Sequence, residues 1–200
     1  MNYLAHLFFA EDTPHSRIGN LLGDFCRGVD LKQLHPQILV GLQQHRAVDV
    51  FTDRSTEILA AKQYFSPQRR RFAGIALDML FDHFLIRHWP QFHPQPFLEY
   101  KSWLYQQLQS DLPLMPASMQ PTVQSIIRRD WFLSYADIHQ LGLALDRVAQ
   151  RIRFANQFAG AGMDIQAHYL ELERLFLQFF PRLQHYVKSQ SWLAVENAAR

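Results

Sequence analysis

The chain has 200 residues, 48% of them hydrophobic, enough for a sizeable core without covalent staples. Its 20 Lys and Arg against 18 Asp and Glu give a net charge of +2, which argues against a general polyanion binder and against nucleic acid as a partner. A single cysteine, Cys26, excludes an internal disulfide framework, and no apolar run approaches the ~20 residues of a membrane span.

The first ten residues are apolar but lack a basic lead-in and run into Glu11-Asp12, a poor signal peptide, so a cytoplasmic protein is expected. Helical periodicity dominates from there on. Ser16 predicts the cap of a helix over Arg17–Cys26 that ends near Gly28. Pro36 opens a second helix running towards Asp53, and Ser55 or Thr56 starts a short third one ending near Phe65. Ser66-Pro67 begins a long fourth helix that stops before Pro90. A proline-rich connector follows, then an amphipathic helix over Phe97–Gln109. Three more helices are expected at about 121–134, 136–154 and 164–180, with Pro181 as a break. No repeat or linker divides the chain, so residues 1–200 read as one all-α domain, a multi-helix bundle.

The chemistry concentrates in the first 90 residues. Asp78, Asp82 and His83 interrupt an otherwise buried-looking apolar helix, and two carboxylates four residues apart share a helical face. Like charges there repel, so a positive partner is expected beside them. Asp24 interrupts Leu21-Leu22-Gly23-Asp24-Phe25, His6 lies in the apolar N-terminal helix, and His45 and Asp49 share a face of the second helix. Imidazole and carboxylate together, without thiolate, suit Mn²⁺, Fe²⁺, Zn²⁺ or Mg²⁺. Such an ion polarises a phosphoryl oxygen and acidifies water, and Arg27 and Arg46 are placed to neutralise a phosphate. Plainer readings stand beside these: His6 as a core histidine, His45 with Asp49 as a surface pair worth ~0.2–0.5 kcal/mol, Asp24 as a bridge to Arg27. Arginines also cluster at Arg69-Arg70-Arg71, at Arg128-Arg129, and at Arg147, Arg151 and Arg153. His168 is a weaker site candidate.

The segments Met1-Asn-Tyr-Leu-Ala-His-Leu7, Gly19-Asn-Leu-Leu-Gly-Asp-Phe25 and His45-Arg-Ala-Val-Asp-Val-Phe-Thr-Asp53 form an ordered set. Leu77-Asp78, Asp82-His-Phe-Leu85, Arg87-His-Trp89 and Ala167-His-Tyr169 continue it. Together they resemble the acyl carrier protein phosphodiesterase family. The resemblance implies a Mn²⁺-dependent hydrolase, with Mg²⁺ or another divalent ion as a substitute, and a helical fold like that of the HD phosphohydrolases. The substrate implied is holo acyl carrier protein, an acidic partner. Water activated by the ion would cleave the phosphodiester between 4′-phosphopantetheine and serine. HD enzymes take ligands from a His, a His-Asp doublet and a later Asp; this chain has no His-Asp dipeptide and carries Asp82-His83 in reversed order. The expected metal set is Asp24, His45, Asp78, Asp82 and His83, with His6 and Asp49 adjoining it and Arg27 and Arg46 on the phosphate. A phosphohydrolase of nucleotides or other small phosphoesters, and a non-catalytic helical interaction protein, are the alternatives.

Overall fold

The computed structural model describes residues 1–154 and 156–190, and among them every regular element is helical. The first five α-helices are α1 (Tyr3–Phe8), α2 (Pro14–Leu22), α3 (Pro36–Arg54), α4 (Thr56–Lys62) and α5 (Ala73–Arg87). Then come α6 (Trp89–Phe92), α7 (Phe97–Asp111), α8 (Gln120–Arg128) and α9 (Trp131–Ala136). The described residues finish with α10 (Ile138–Arg151), α11 (Ala161–Ala167) and α12 (Tyr169–Ser189). The all-α expectation holds.

Sequence chemistry explains most boundaries, with some corrections. Helix α2 starts three residues before the expected Arg17 because the Thr13 side chain accepts from the Ser16 N–H, with Pro14 in the first turn. Ser55 stands at the N-cap of α4 as expected, but its hydroxyl makes no capping bond and donates to the Phe51 carbonyl instead. The fourth expected helix starts late, at Ala73, since residues 66–69 are a turn held by Asp164, which accepts from the Ser66 N–H and hydroxyl, and Arg70–Phe72 form a single 3-10 turn. Asp130, in the left-handed region at φ 45°, splits the expected 121–134 helix. Its carboxylate is held by the Tyr105 hydroxyl at 2.9 Å and by Lys101.

Pro181 does not break α12, which runs on to Ser189. A proline inside a helix removes one backbone hydrogen bond. Here the apolar stripe Phe176, Phe179, Phe180, Leu183 and Val187 stays buried across it, and burial of ~1.5–3 kcal/mol per large side chain outweighs the loss.

Helix α5 occupies the centre. Ala76, Leu77, Leu80, Phe81, Phe84 and Leu85 are buried against α1, α4, α9, α10 and α12. Phe81 and Phe84 both meet Phe176 of α12, with ring centroids 5.2 and 5.6 Å apart. Helices α2 and α3 approach so closely that a Cβ on Gly19 would lie 2.3 Å from the Ile38 carbonyl oxygen and 2.7 Å from the Gly41 Cα. The two glycines therefore let the backbones touch. Arg17 locks α2 to α7 through the buried Asp111, with Nε 2.7 Å from Oδ2.

Candidate metal centre and adjoining cavity

The closeness of α2 and α3 decides where His45 points. Its Nδ1 lies 2.8 Å from the Asn20 carbonyl oxygen, an acceptor, so Nδ1 carries a hydrogen, and Nε2 donates to a carboxylate when the ring is protonated or offers its lone pair to a metal ion when the ring is neutral. That Nε2 faces Asp49 Oδ2 at 3.1 Å, one turn further along α3. His6 of α1 stacks on His45 with centroids 3.8 Å apart, and its Nε2 reaches Asp49 Oδ1 at 3.3 Å and the Met1 carbonyl at 3.1 Å. The His6 Nδ1 is buried without a partner.

One ligating atom each from His6, His45 and Asp49 lie within 4.8 Å of one another. An ion with bonds of about 2.0–2.2 Å needs its ligand atoms no more than ~4.4 Å apart, so the three would draw together around one. The Asn20 carbonyl orients His45 as an outer partner orients a ligand imidazole. The donor set therefore fits a divalent ion of the imidazole-and-carboxylate kind.

The positive partner expected beside the acids of α5 is the α-ammonium of Met1. It is buried and donates to Asp49 Oδ1 at 3.1 Å and to Asp78 Oδ1 at 3.0 Å. Burial opposes its charge, but the two carboxylates outweigh that and raise it to about 10. Burial also pulls on Asp49, yet hydrogen bonds from His45 and His6 and the ammonium charge hold its carboxyl well below the usual range. His45 is raised despite burial, chiefly by Asp49, whereas burial pushes His6 down to about 4. Burial raises Asp78 against the pull of the ammonium. Desolvation raises Asp24, on the turn after α2, although its side chain keeps contact with solvent; Asp49 and Asp78 add to the rise and His45 opposes it.

Asp82 and His83 are not brought to this cluster. Asp82 is fully buried, and its carboxylate accepts from the backbone N–H of Leu4 at 3.1 Å and of Ala5 at 3.0 Å. Those are first-turn donors of α1, whose N-cap Asn2 offers no side-chain bond, so Asp82 caps α1 from another helix. Burial nevertheless raises it to about 7. His83, one position on, turns away from α1. Its Nδ1 donates to the Tyr135 carbonyl at 2.8 Å, leaving Nε2 to accept from the Tyr169 hydroxyl at 2.6 Å. Both ring nitrogens are used in tying α5 to α9 and α12, and burial lowers its pKa.

Next to Met1, Asp24 and Asp78 opens a cavity of about 420 Å³. Neither Arg27 nor Arg46 lines it; both are exposed, and Arg46 only approaches Cys26 Sγ at 4.0 Å. Arg129, Arg147 and Arg151 line it instead. The arginine triplet is spent elsewhere: Arg69 bonds Asp164 and the Ala159 carbonyl, and Arg71 covers the Phe72 and Phe154 rings. His168 lies against Tyr64 and stays outside the cluster.

The family model for acyl carrier protein phosphodiesterase matches residues 1–183. The chain belongs to that family. A Serratia proteamaculans protein named acyl carrier protein phosphodiesterase is 37% identical over 191 residues, covering 95% of this chain and 99% of its own length. An Escherichia coli O157:H7 protein of the same name is 35% identical over 184 residues, covering 92% of this chain and 95% of its own. No solved structure matches. The acyl carrier protein phosphodiesterase family model thus spans every residue of the cluster and all three cavity arginines.

Sequence reasoning grouped Asp24, His45, Asp78, Asp82 and His83 with His6 and Asp49, and the fold gathers five of these, leaving Asp82 and His83 outside. It missed Asn20 and Gly23, which shape the seat of His45, because a backbone carbonyl and an absent side chain leave no mark in residue type. It also missed Arg129, Arg147 and Arg151 as cavity residues. Their clustering was visible, but not that α8 and α10 would meet the first 90 residues.

Proposed function

We propose that this chain hydrolyses the phosphodiester joining 4′-phosphopantetheine to a serine of holo acyl carrier protein, giving the apo-protein and free 4′-phosphopantetheine. The observation that carries the reading is family membership over residues 1–183, with relatives named for that activity. The cluster of His6, His45 and Asp49 beside a cavity supports a divalent ion, Mn²⁺ by preference. When bound, such an ion supplies Lewis-acid polarisation of a phosphoryl oxygen and acidifies water.

The rest falls to side chains of the chain. His6, His45 and Asp49 would hold the ion, with the Asn20 carbonyl fixing the tautomer of His45. Asp24 and Asp78 set carboxyl oxygens in the cavity wall, where one of them can take the proton of the attacking water. The new bond joins water oxygen to phosphorus, the bond to the serine oxygen breaks, and the proton returns to that oxygen. Arg27 and Arg46, exposed outside the cavity, suit an acidic carrier protein.

Incubation of the purified chain with holo acyl carrier protein and Mn²⁺, followed by intact-mass measurement of the carrier, tests this. Loss of the phosphopantetheine mass is expected. An unchanged carrier alongside turnover of a nucleotide or generic diester would replace the proposal with a small-molecule phosphohydrolase.

A further inference from the structure

The wall of the cavity facing Asp24 and Asp78 is built by one stripe of α10. Gln140, Ala144, Arg147, Val148 and Arg151 fall at helical spacing, while Leu141, Leu145 and Ala149 on the other side are buried in the core. Arg147 and Arg151 stand four residues apart, where like charges on one helical face repel. Arg129, at the end of α8, adds a third cation to the same cavity. None of the three guanidinium groups has a hydrogen bond or salt bridge among the described residues, whereas Arg17, Arg69, Arg87 and Arg182 are each paired with a carboxylate. Arg151 is near enough to Tyr3 and Tyr135 for its charge to favour their ionised forms against burial.

Between the arginines and the acids the surface changes character. Trp131, Met79, Ile75 and Val148 are apolar, and Thr122 and Ser134 supply hydroxyls. A cavity of about 420 Å³ lies inside the roughly 300–1,000 Å³ range of small-molecule sites. Cations on one side, Asp24 and Asp78 on the other with the His6–His45–Asp49 cluster joined to them through Met1, and a mixed apolar and hydroxyl wall between describe a phosphorylated, flexible chain carrying amides and methyl groups. Arginine is suited to the phosphate because its planar fork can donate two bonds at once.

On the reading that this chain is a carrier-protein phosphodiesterase, we infer that this cavity is the subsite for the phosphopantetheine moiety itself. Arg147 and Arg151, with Arg129, hold the phosphate from the side opposite the His6–His45–Asp49 cluster, and the arm lies along Trp131, Met79 and Val148. Arg27 and Arg46 have no part in it. The arginines read the substrate's prosthetic group, not the surface of the carrier.

Calorimetric titration of the full chain, with Mn²⁺ present, by free 4′-phosphopantetheine and by apo acyl carrier protein tests the assignment. Arg147→Ala and Arg151→Ala should each weaken 4′-phosphopantetheine binding at least tenfold, with unchanged thermal unfolding and less than a threefold effect on apo-carrier binding. The Lys variants at these positions should recover part of the loss, and Arg128→Ala, one residue outside the cavity, should stay within twofold of the parent. With holo carrier as substrate, the Ala variants should raise KM more than they lower kcat. Parent-like 4′-phosphopantetheine affinity in both Ala variants overturns the inference, as does an equal loss of apo-carrier affinity, which would make the arginines a carrier-docking face. If the parent binds 4′-phosphopantetheine through these arginines but never cleaves holo carrier, the subsite stands and the proposed activity falls. If it cleaves holo carrier and neither arginine matters, the activity stands and the subsite falls.

Discussion

The imidazole of His45 occupies the space that a side chain at Gly23 would need: a Cβ there would lie 1.9 Å from Nε2. Gly23 has φ −51° and ψ −37°, so alanine fits the backbone and only the ring is obstructed. Gly23→Ala should therefore evict His45 from its seat while leaving α2 formed. The expected outcome is loss of Mn²⁺-induced thermal stabilisation, which for a site filled to 100 times its Kd amounts to about 2.7 kcal/mol in the parent. Differential scanning fluorimetry with and without Mn²⁺ measures it, and a retained Mn²⁺ shift would remove His45 from the ion's ligands.

His83 gives the contrasting case. Both of its ring nitrogens serve α9 and α12, so His83→Ala should cost about 2–3 kcal/mol in chemical denaturation and leave the Mn²⁺ shift in place. Abolition of the shift at unchanged stability would restore His83 to the metal set.

Asp82 carries two buried acceptor bonds to α1. Asp82→Ala leaves the Leu4 and Ala5 N–H groups without partners, at about 1–3 kcal/mol each, and loosens the helix that bears His6. Stability should fall by a few kcal/mol and Mn²⁺ affinity should weaken with it. Hydrogen exchange at those two amides is the direct readout: slow exchange in the variant contradicts the capping role.

Glu173 links α12 to the end of α5, with Oε1 2.7 Å from Arg87 Nε and 2.8 Å from His88 Nε2. Burial opposes its charge, but His88 and Arg87 outweigh that and lower its pKa below the ordinary 4.5. A carboxyl depressed on folding stabilises the protein above its unfolded pKa, and that contribution is lost as pH falls through the folded value. The stability difference between parent and Glu173→Gln should thus be full above pH ~4.5, no more than about 1 kcal/mol because Arg87 is half exposed, and should vanish towards lower pH. A difference that grows on acidification contradicts the assignment.

The helices were legible because their apolar residues recur at helical spacing, as in Leu141, Leu145 and Ala149 of α10, and because Pro36 marks the start of α3. Pro181 was misread because local backbone chemistry favours a break there while the buried stripe across it favours continuity. At the site, the spacing of His45 and Asp49 was informative since both lie on one helix. Asp82 and His83 misled because a carboxylate between two buried N–H groups and an imidazole between a carbonyl and a phenol have the same residue types as metal ligands. Only the chain's return past α1 distinguishes these cases.

The contact of Gly19 with Gly41 bears on how the centre tolerates sequence change. The gap between α2 and α3 is closed by main-chain atoms, so no exchange of one core side chain for a larger or smaller one can reset it. The reach from the Asn20 carbonyl to His45 is in effect a fixed mechanical datum. Drift in the surrounding aromatic core can be absorbed without moving that imidazole, while a single added methyl at either glycine shifts it.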